Sequence, residues 1–208
     1  MTRALPVLLF DAMDTIVKDP FYTVYPAFFK LPMSDLLKEK NPEAWPAFER
    51  GELSEEAYAR QAFRDGRSYD YEGLKHELQS AYVFIEGMER ILEELYDHQV
   101  SMHIMSNYPV WYRMLDETLN LSQYLPWTFV SCETGVRKPD EECYRRASAW
   151  LKRPPEECIL IDDRQINCDG AAAIGMKSIH FESASSLRDT LAGMGFPLQA
   201  TATQHETH

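Results

Sequence analysis

Four short segments, each predicted to be a buried strand, end at polar or charged residues. The first, Leu5–Phe10, is a continuous apolar run that stops at Asp11. The later three are Ser101–Met105, Trp127–Val130 and Cys158–Ile161, which run into Ser106-Asn107, Ser131-Cys132 and Asp162-Asp163. A short run without polar alternation is typical of a strand covered on both faces. This pattern predicts a sheet that carries reactive side chains along one edge, and no other feature constrains the fold as much.

Segments with helical periodicity separate these predicted strands. They are Gly87–His98, Val110–Asn120, Asp140–Leu151, Cys168–Ile174 and Ala184–Met194, and a fifth strand is predicted at Lys177–Phe181. Alternation of strands and helices predicts an α/β fold with a doubly wound, Rossmann-like parallel sheet. In such sheets ligands bind outside the carboxyl ends of the strands.

Residues 18–83 interrupt the alternation and are predicted to form a helical cap inserted after the first strand. Helical patterns occur at Ser34–Lys40, Pro42–Arg50, Ser54–Asp65 and Tyr71–Ala81, with Ser34 and Ser54 as predicted N-caps. We therefore predict an α/β core of residues 1–17 and 84–198, a cap of residues 18–83, and a frayed tail of residues 199–208.

The charge balance excludes several classes of partner. The chain has 21 basic and 33 acidic residues in 208, a formal net charge of −12. A nucleic-acid binder or a polybasic membrane anchor would show the opposite surplus. No apolar run approaches the roughly 20 residues of a transmembrane helix, and the N-terminal run is too short for a signal peptide. The four cysteines lack C-x-x-C spacing, so we expect reduced thiols in an intracellular protein.

The polar residues at the strand ends form a recognisable set. In chain order they are Asp11-Ala12-Met13-Asp14-Thr15, Ser106-Asn107, Lys138-Pro139, and Asp162-Asp163 with Asn167. Taken singly, each has an ordinary structural interpretation: a turn residue, a helix cap or a surface lysine. Together they bring several carboxylates to one edge, where they would repel one another unless a hard cation joined them. Magnesium suits such an oxygen-rich site and retains water for a phosphate ligand.

In these motifs the sequence resembles the haloacid dehalogenase superfamily, in its branch with a helical cap between the first and second motifs. More narrowly, it is similar to the plant chloroplast flavin mononucleotide hydrolases. The segments that carry the narrower resemblance are Met13–Val17 with Asp19–Tyr22, Asn107–Tyr112, Arg137–Asp140 and Ile161–Arg164. The resemblance implies a phosphatase that depends on magnesium.

The resemblance also implies a role for each motif residue. Asp11 would be the nucleophile that forms an aspartyl-phosphate, and Lys138 would offset charge in the transition state. Phosphate oxygens would be bound by Ser106 and the Asn107 amide, with Thr15 bracing the first loop beside them. The implied magnesium ligands are Asp11, the carbonyl of Met13 and Asp163. Asp162 would either bind the ion as well or, like Asn167, orient its ligands and waters.

Position 13 departs from the usual pattern of the superfamily's phosphatases. They carry a second Asp two residues after the nucleophile as general acid and base, whereas this chain has Met13 there and Asp14 one residue later. A thioether cannot protonate a leaving group. We expect Asp14, or a cap-loop group such as Asp19 or Tyr22, to supply the proton.

Aromatic side chains that could contact a flat substrate ring cluster in two segments of the sequence. They are Phe21, Tyr22, Tyr25, Phe28 and Phe29 at the entrance to the cap, and Tyr108, Trp111 and Tyr112 after the second motif. Tyr108 and Trp111 directly follow a strand end and are candidates for stacking on a flavin. The rings of Tyr25, Phe28 and Phe29, at helical spacing, are better interpreted as core of the cap.

The sequence thus predicts a magnesium-dependent phosphomonoester hydrolase whose leading substrate is flavin mononucleotide. Three alternatives stay open: a broad small-molecule phosphatase, a dehalogenase or phosphonatase, and a non-catalytic binding protein in which Met13 marks lost activity. The expected partner is a small phosphate ester, with neither nucleic acid nor membrane involved and the oligomeric state open. We expect an intracellular protein of the plastid or cytoplasm.

Overall fold

A five-stranded parallel sheet forms the centre of the protein, which a computed structural model describes for residues 5–200. The strand order is β3-β2-β1-β4-β5, and every neighbouring pair is parallel. The strands are β1 Val7–Phe10, β2 Met102–Ser106, β3 Trp127–Val130, β4 Cys158–Asp162 and β5 Lys177–His180. The predicted fold class is therefore confirmed.

Eleven α-helices within residues 5–200 surround or cap this sheet. Five precede β2 in the segment between β1 and residue 82: α1 Phe21–Phe29, α2 Met33–Glu39, α3 Ala44–Glu49, α4 Glu55–Gln61 and α5 Tyr71–Ala81. The other six are α6 Met88–Asp97, α7 Tyr112–Leu119, α8 Ser131–Thr134, α9 Glu141–Leu151, α10 Gln165–Ala173 and α11 Ala184–Gly193. No helix of this part of the chain is long and apolar enough to cross a bilayer.

The apolar strands are buried because helices cover both faces of the sheet. Leu8 and Phe10 face a cluster built with α6, α7 and α11, whereas Val7 and Leu9 face a second cluster built with α9 and α10. All four side chains of β1 are at most 4% exposed. Successive residues of a strand point to opposite faces, so a strand covered on both sides needs apolar residues at every position.

Helices α1 to α5 form a layer of their own with a separate apolar cluster. Its buried centre includes Leu36, Phe48, Tyr58 and Leu74, and it extends onto Trp111 of the core. The two chain segments that connect this layer to the core pair with each other, because Lys18 N donates to Val83 O and Ile85 N donates to Ile16 O. We call helices α1 to α5 the cap; its limits at residues 18 and 83 stay a prediction.

The predicted N-caps of the cap helices had different outcomes. Ser54 is confirmed, since its hydroxyl accepts a hydrogen bond from Ala57 N at 3.2 Å. Ser34 is wrong, because α2 already begins at Met33 after Pro32. The first turn starts instead from the carbonyl of Pro32, which accepts from Asp35 N and Leu36 N, both at 3.0 Å. All four cysteines are free thiols. Most of the predicted frayed tail, residues 201–208, lies outside the described residues.

Gly51 lets the cap approach the core closely. Its φ of +73° is left-handed, and a Cβ there would collide with the Cys132 carbonyl oxygen of α8. Gly66 offers a matched comparison, since its φ is +67° but a Cβ there would meet nothing within 4 Å.

We predict that Gly66→Ala costs about 1 kcal/mol of unfolding free energy, from left-handed strain alone. Gly51→Ala should cost about 1–3 kcal/mol more, because the backbone carbonyl of Cys132 cannot move aside cheaply. Urea denaturation of both variants measures the difference. Equal losses would show that the cap does not depend on this contact.

Candidate active site

Three carboxylates meet at the carboxyl edge of the sheet. Asp11 follows β1, Asp162 ends β4 and Asp163 comes next, and one oxygen of each lies within 4.8 Å of the others. The ladder carries on past β1, because Asp11 N donates to Ile161 O at 2.9 Å. The pleat places Asp11 and Asp162 on the same face of the sheet as Leu9 and Leu160. Backbone pairing therefore fixes where these acids lie.

Lys138 joins the acids from the loop before α9. Its ammonium lies 2.5 Å from Asp162 Oδ2 and 3.2 Å from Asp11 Oδ1, and it donates to Met105 O at 2.7 Å. The side chain is only 1% exposed. Asn107 holds the lysine backbone from both sides: Lys138 N donates to its Oδ1, and its Nδ2 donates to Lys138 O, each at 2.8 Å. We call Asp11, Asp162, Asp163 and Lys138 the acidic cluster.

Both carboxylate oxygens of Asp162 contact protein groups. Its Oδ1 accepts from Arg164 N and from Asn167 Nδ2, both at 2.9 Å, and its Oδ2 contacts Lys138. The residue is completely buried, whereas Asp163 is half-buried and lines a cavity. Asp162 therefore orients the lysine, and Asn167 in turn orients Asp162.

Burial and crowding change the protonation of the acidic cluster. Burial raises the pKa of Asp11 to about 6 even though Lys138 acts to lower it. Burial, with repulsion from Asp11 and Asp162, raises the pKa of Asp163 to about 7. Burial alone would lower the pKa of Lys138, but the attraction of Asp11 and Asp162 outweighs it and raises that pKa. Three carboxylates against one ammonium leave an excess of negative charge in a poorly solvated site.

The donor set of the acidic cluster fits a small divalent cation. Its free oxygens are carboxylates on Asp11 and Asp163, which hard cations such as Mg²⁺ prefer. The Ser106 hydroxyl, at the end of β2, is buried beside Asp11, whose pKa it acts to lower, and it has no further hydrogen-bond partner among residues 5–200. A buried hydroxyl with so few protein partners favours a polar ligand at this site.

The first loop supports the acidic cluster from behind. Thr15 is completely buried, and its hydroxyl accepts from Asp163 N at 3.1 Å. Thr15 does not line the cavity, so its contacts fit the bracing role and not direct contact with a phosphate. Asp14 is exposed in the left-handed region, with φ 52°, and its Oδ1 accepts from Asp19 N at 2.9 Å.

A cavity of about 560 Å³ separates the acidic cluster from the cap. The core contributes Asp11, Met13 and Asp163 to its lining, and the loops at the entrance to the cap contribute Asp14 and Asp19. Burial raises the pKa of Asp19 to about 6. The cavity is large enough for a small organic molecule.

Tyr108 and Trp111 line this cavity, but most of their surface is packed against protein. They are 5% and 2% exposed. The Trp111 indole donates to Glu55 Oε1 at 2.8 Å, and the hydroxyls of Tyr108 and Tyr82 lie 2.9 Å apart. These contacts join core to cap and leave little ring surface for a substrate.

Other aromatic rings of the cavity are more open. Tyr22 is 62% exposed, and Phe21 and Trp45 are partly exposed. Sequence reasoning placed Phe21 and Tyr22 among the aromatic residues near a substrate ring, and Tyr22 also among candidate proton donors. It missed Trp45, which lies in a helical pattern typical of core. It also missed Lys40, a buried lysine of the cavity wall. The only signal for Trp45 and Lys40 in the sequence is that aromatic residues are frequent before and after them.

Comparison with known sequences identifies relatives over most of the chain. The family model described as haloacid dehalogenase-like hydrolase matches residues 11–181. Flavin mononucleotide hydrolase 1 of Arabidopsis thaliana, a chloroplast protein by its name, is 48% identical over 193 residues, which is 93% of this chain and 79% of that protein. A sesquiterpene phosphatase of Aspergillus oryzae is 28% identical over 168 residues, or 77% of this chain and 80% of that protein.

Solved structures share the fold at low sequence identity. A haloacid dehalogenase family enzyme of Bacteroides thetaiotaomicron, in complex with magnesium and inorganic phosphate, has a TM-score of 0.71 and 17% identity, over 86% of this chain and 96% of that one. A dehalogenase has a TM-score of 0.61 and 20% identity, over 86% of this chain and 85% of that one. The match over residues 11–181, with the 48% identical relative, shows that this chain belongs to the haloacid dehalogenase-like hydrolase family.

Proposed function

We propose that the protein is a magnesium-dependent phosphomonoester hydrolase that acts through an aspartyl-phosphate on Asp11, with flavin mononucleotide as leading substrate. The observation that carries the proposal is the meeting of Asp11, Asp163 and Lys138 at one wall of a substrate-sized cavity. The close similarity to a named flavin mononucleotide hydrolase supports the substrate.

Asp11, Asp163 and the carbonyl of Met13 would hold the magnesium ion. When bound, the ion neutralises the repulsion between carboxylates and phosphate and so permits nucleophilic attack. We assign Asp162 a positioning role instead of the metal contact that the sequence left open, because Lys138, Asn167 and Arg164 occupy its oxygens.

Attack starts from Asp11. Its Oδ1 accepts from Ala12 N at 2.8 Å and faces Lys138, so we assign the attack on phosphorus to Oδ2. The bond between phosphorus and the ester oxygen breaks, and the alcohol leaves. Water then attacks the same phosphorus, which releases inorganic phosphate and restores the Asp11 carboxylate. Lys138 offsets the charge on the phosphoryl oxygens, and Ser106 and the Asn107 amide bind them.

The departing alkoxide needs a proton, and we assign Asp19 as its donor. Asp14 is exposed, and its carboxylate serves the Asp19 amide. Asp19 lines the cavity, and its raised pKa of about 6 keeps part of the population protonated near neutral pH. The protonated form is lost as the pH rises above 6.

A broad small-molecule phosphatase is the second candidate. The similarity to a sesquiterpene phosphatase favours it, since that relative's named substrate class is unlike a flavin. The chloroplast designation of the Arabidopsis relative supports a plastid as the compartment, with the cytoplasm as the alternative. The partner is a small phosphate ester, and the chain offers no basic surplus for a nucleic acid.

We predict that the protein releases phosphate from flavin mononucleotide with Mg²⁺ and not with a chelator. Asp11→Asn should lower kcat by at least about 10³-fold, because an amide oxygen is a poor nucleophile. A phosphate-release assay over a panel of esters and haloacids measures this. Chelator-resistant release of halide would favour a dehalogenase, and wild-type inactivity on every substrate would favour a binding protein.

We predict that Asp163→Asn stabilises the metal-free protein at pH 8. The folded-state pKa of Asp163 is about 7 against an ordinary 3.8, so its ionisation destabilises the fold increasingly as the pH rises from 4 to 7. The variant removes this cost, and its gain in Tm should vanish near pH 4. Saturating Mg²⁺ should raise the Tm of the wild type only. Asp97→Asn, at an exposed site on α6, is the control. A lower Tm for metal-free Asp163→Asn at pH 8 would contradict the prediction.

We predict that Asp19→Asn lowers kcat for flavin mononucleotide by about 10²-fold, a typical contribution of general acid catalysis. The loss should be small for p-nitrophenyl phosphate, whose leaving group departs without a proton. Asp14→Asn, which keeps an oxygen for the Asp19 amide, should affect both substrates little. An equal loss of kcat on both esters for Asp19→Asn would contradict the role of Asp19 as proton donor.

A further inference from the structure

Lys40 is a buried cation that has no acidic partner among the described residues. It follows α2, is 8% exposed, and forms no ion pair with any residue between 5 and 200. Within the described part of the chain, its ammonium forms one hydrogen bond, to the Tyr58 hydroxyl at 3.2 Å. An ammonium group has three donors, so two of them lack an acceptor among these residues.

Aromatic rings surround this ammonium. Its Nζ lies 4.6 Å from the ring centroid of Tyr25 and 5.6 Å from that of Phe21, with the rings of Tyr58 and Phe63 within 5.9 Å. Cation–π contacts stabilise a buried cation in part. They do not replace the water it has lost, and burial accordingly lowers the pKa of Lys40 to about 8. The group therefore still carries its charge at neutral pH.

The backbone at Lys40 is fixed before any ligand arrives. Lys40 N donates to Leu36 O at 3.0 Å, and Lys40 O accepts from Arg64 Nε at 3.1 Å. A buried charge in a rigid setting costs folding free energy, and an apolar residue of the same length would fill the space at less cost. Natural proteins accept such costs where a site binds a ligand.

Lys40 lines the same cavity as Asp11 and Asp163, on the cap side. A substrate whose phosphate lies at the acidic cluster extends its leaving group toward the cap. The rings of Phe21 and Trp45 in this wall favour a flat, aromatic group. The ammonium of Lys40 also requires a hydrogen-bond acceptor on the leaving group, which a hydrocarbon does not have.

We propose that Lys40 is a specificity residue, whose ammonium donates to the carbonyl and ring-nitrogen acceptors on the pyrimidine edge of the flavin leaving group. The inference rests on the proposed function and deepens it. A flavin ring combines a flat apolar body with this acceptor edge, so it satisfies both the rings and the ammonium. A terpenyl group has no acceptor, and Lys40 therefore selects against it.

The test compares Lys40→Met with the wild type on flavin mononucleotide. We expect KM to rise at least about 10-fold, the effect of one lost charge-assisted hydrogen bond, with kcat within about 3-fold. The dissociation constant of riboflavin, measured by flavin fluorescence, should rise by a similar factor. The inhibition constant of inorganic phosphate should not change, because the acidic cluster is intact. The Tm should hold or increase.

Two further variants separate specificity from structure. Lys38→Met removes an exposed lysine near the end of α2, which forms an ion pair with Asp35, and should change none of these values. Lys40→Gln retains a donor without the charge and should raise KM less than Lys40→Met.

The outcomes distinguish the two proposals. Wild-type protein that hydrolyses other esters but not flavin mononucleotide overturns the proposed substrate and this inference together. Wild-type activity on flavin mononucleotide with unchanged KM and riboflavin affinity in Lys40→Met overturns the inference alone. A Lys40→Met protein that loses stability, while its folded fraction binds riboflavin normally, would assign the lysine to cap folding and also overturn it.

Discussion

The parallel ladder between β1 and β4 brings together acids that would otherwise repel one another. Because Asp11 N donates to Ile161 O, the side chains of Asp11 and Asp162 meet on one face of the sheet. Lys138 is inserted between them and compensates one of three negative charges. The remaining charge is available for a cation and a phosphate, so the backbone pairing of two strands distant in sequence creates the reactive site.

The sequence predicted the sheet and its edge well because these depend on local patterns. Four-residue apolar runs and the polar residues after them follow from the pleat and from burial on both faces. The sequence left open whether Asp162, like Asp163, contacts the ion or orients its ligands. Both are acids at a strand end, and only the completed packing shows that Asp162 lies inside against Lys138 and Asn167 while Asp163 faces the cavity.

The cap was harder to predict from sequence, because its side chains obtain their neighbours from several helices. Trp111 looked available to a substrate, since it follows a strand end, but Glu55 and Tyr71 of the cap cover it and accept its indole hydrogen bond. Lys40 carried no signal in the sequence beyond its place at the end of the predicted helical segment Ser34–Lys40. Its burial arises only when α1 and α4 pack against α2 and place Tyr25 and Tyr58 beside it.

Both walls of the cavity carry charge that the protein itself compensates only in part. On the core wall, Asp11 and Asp163 carry negative charge that the protein does not fully neutralise. On the cap wall, Lys40 carries positive charge with one hydrogen bond and no counterion among the described residues. Each charge is costly in the free protein. In the proposed function, one ligand relieves both walls, with its phosphate and a cation at the core wall and a polar ring edge at the cap wall. The proposal thus accounts for selectivity for a flavin phosphate over a simple ester, because a ligand that relieves only one wall leaves the other charge buried and unsatisfied.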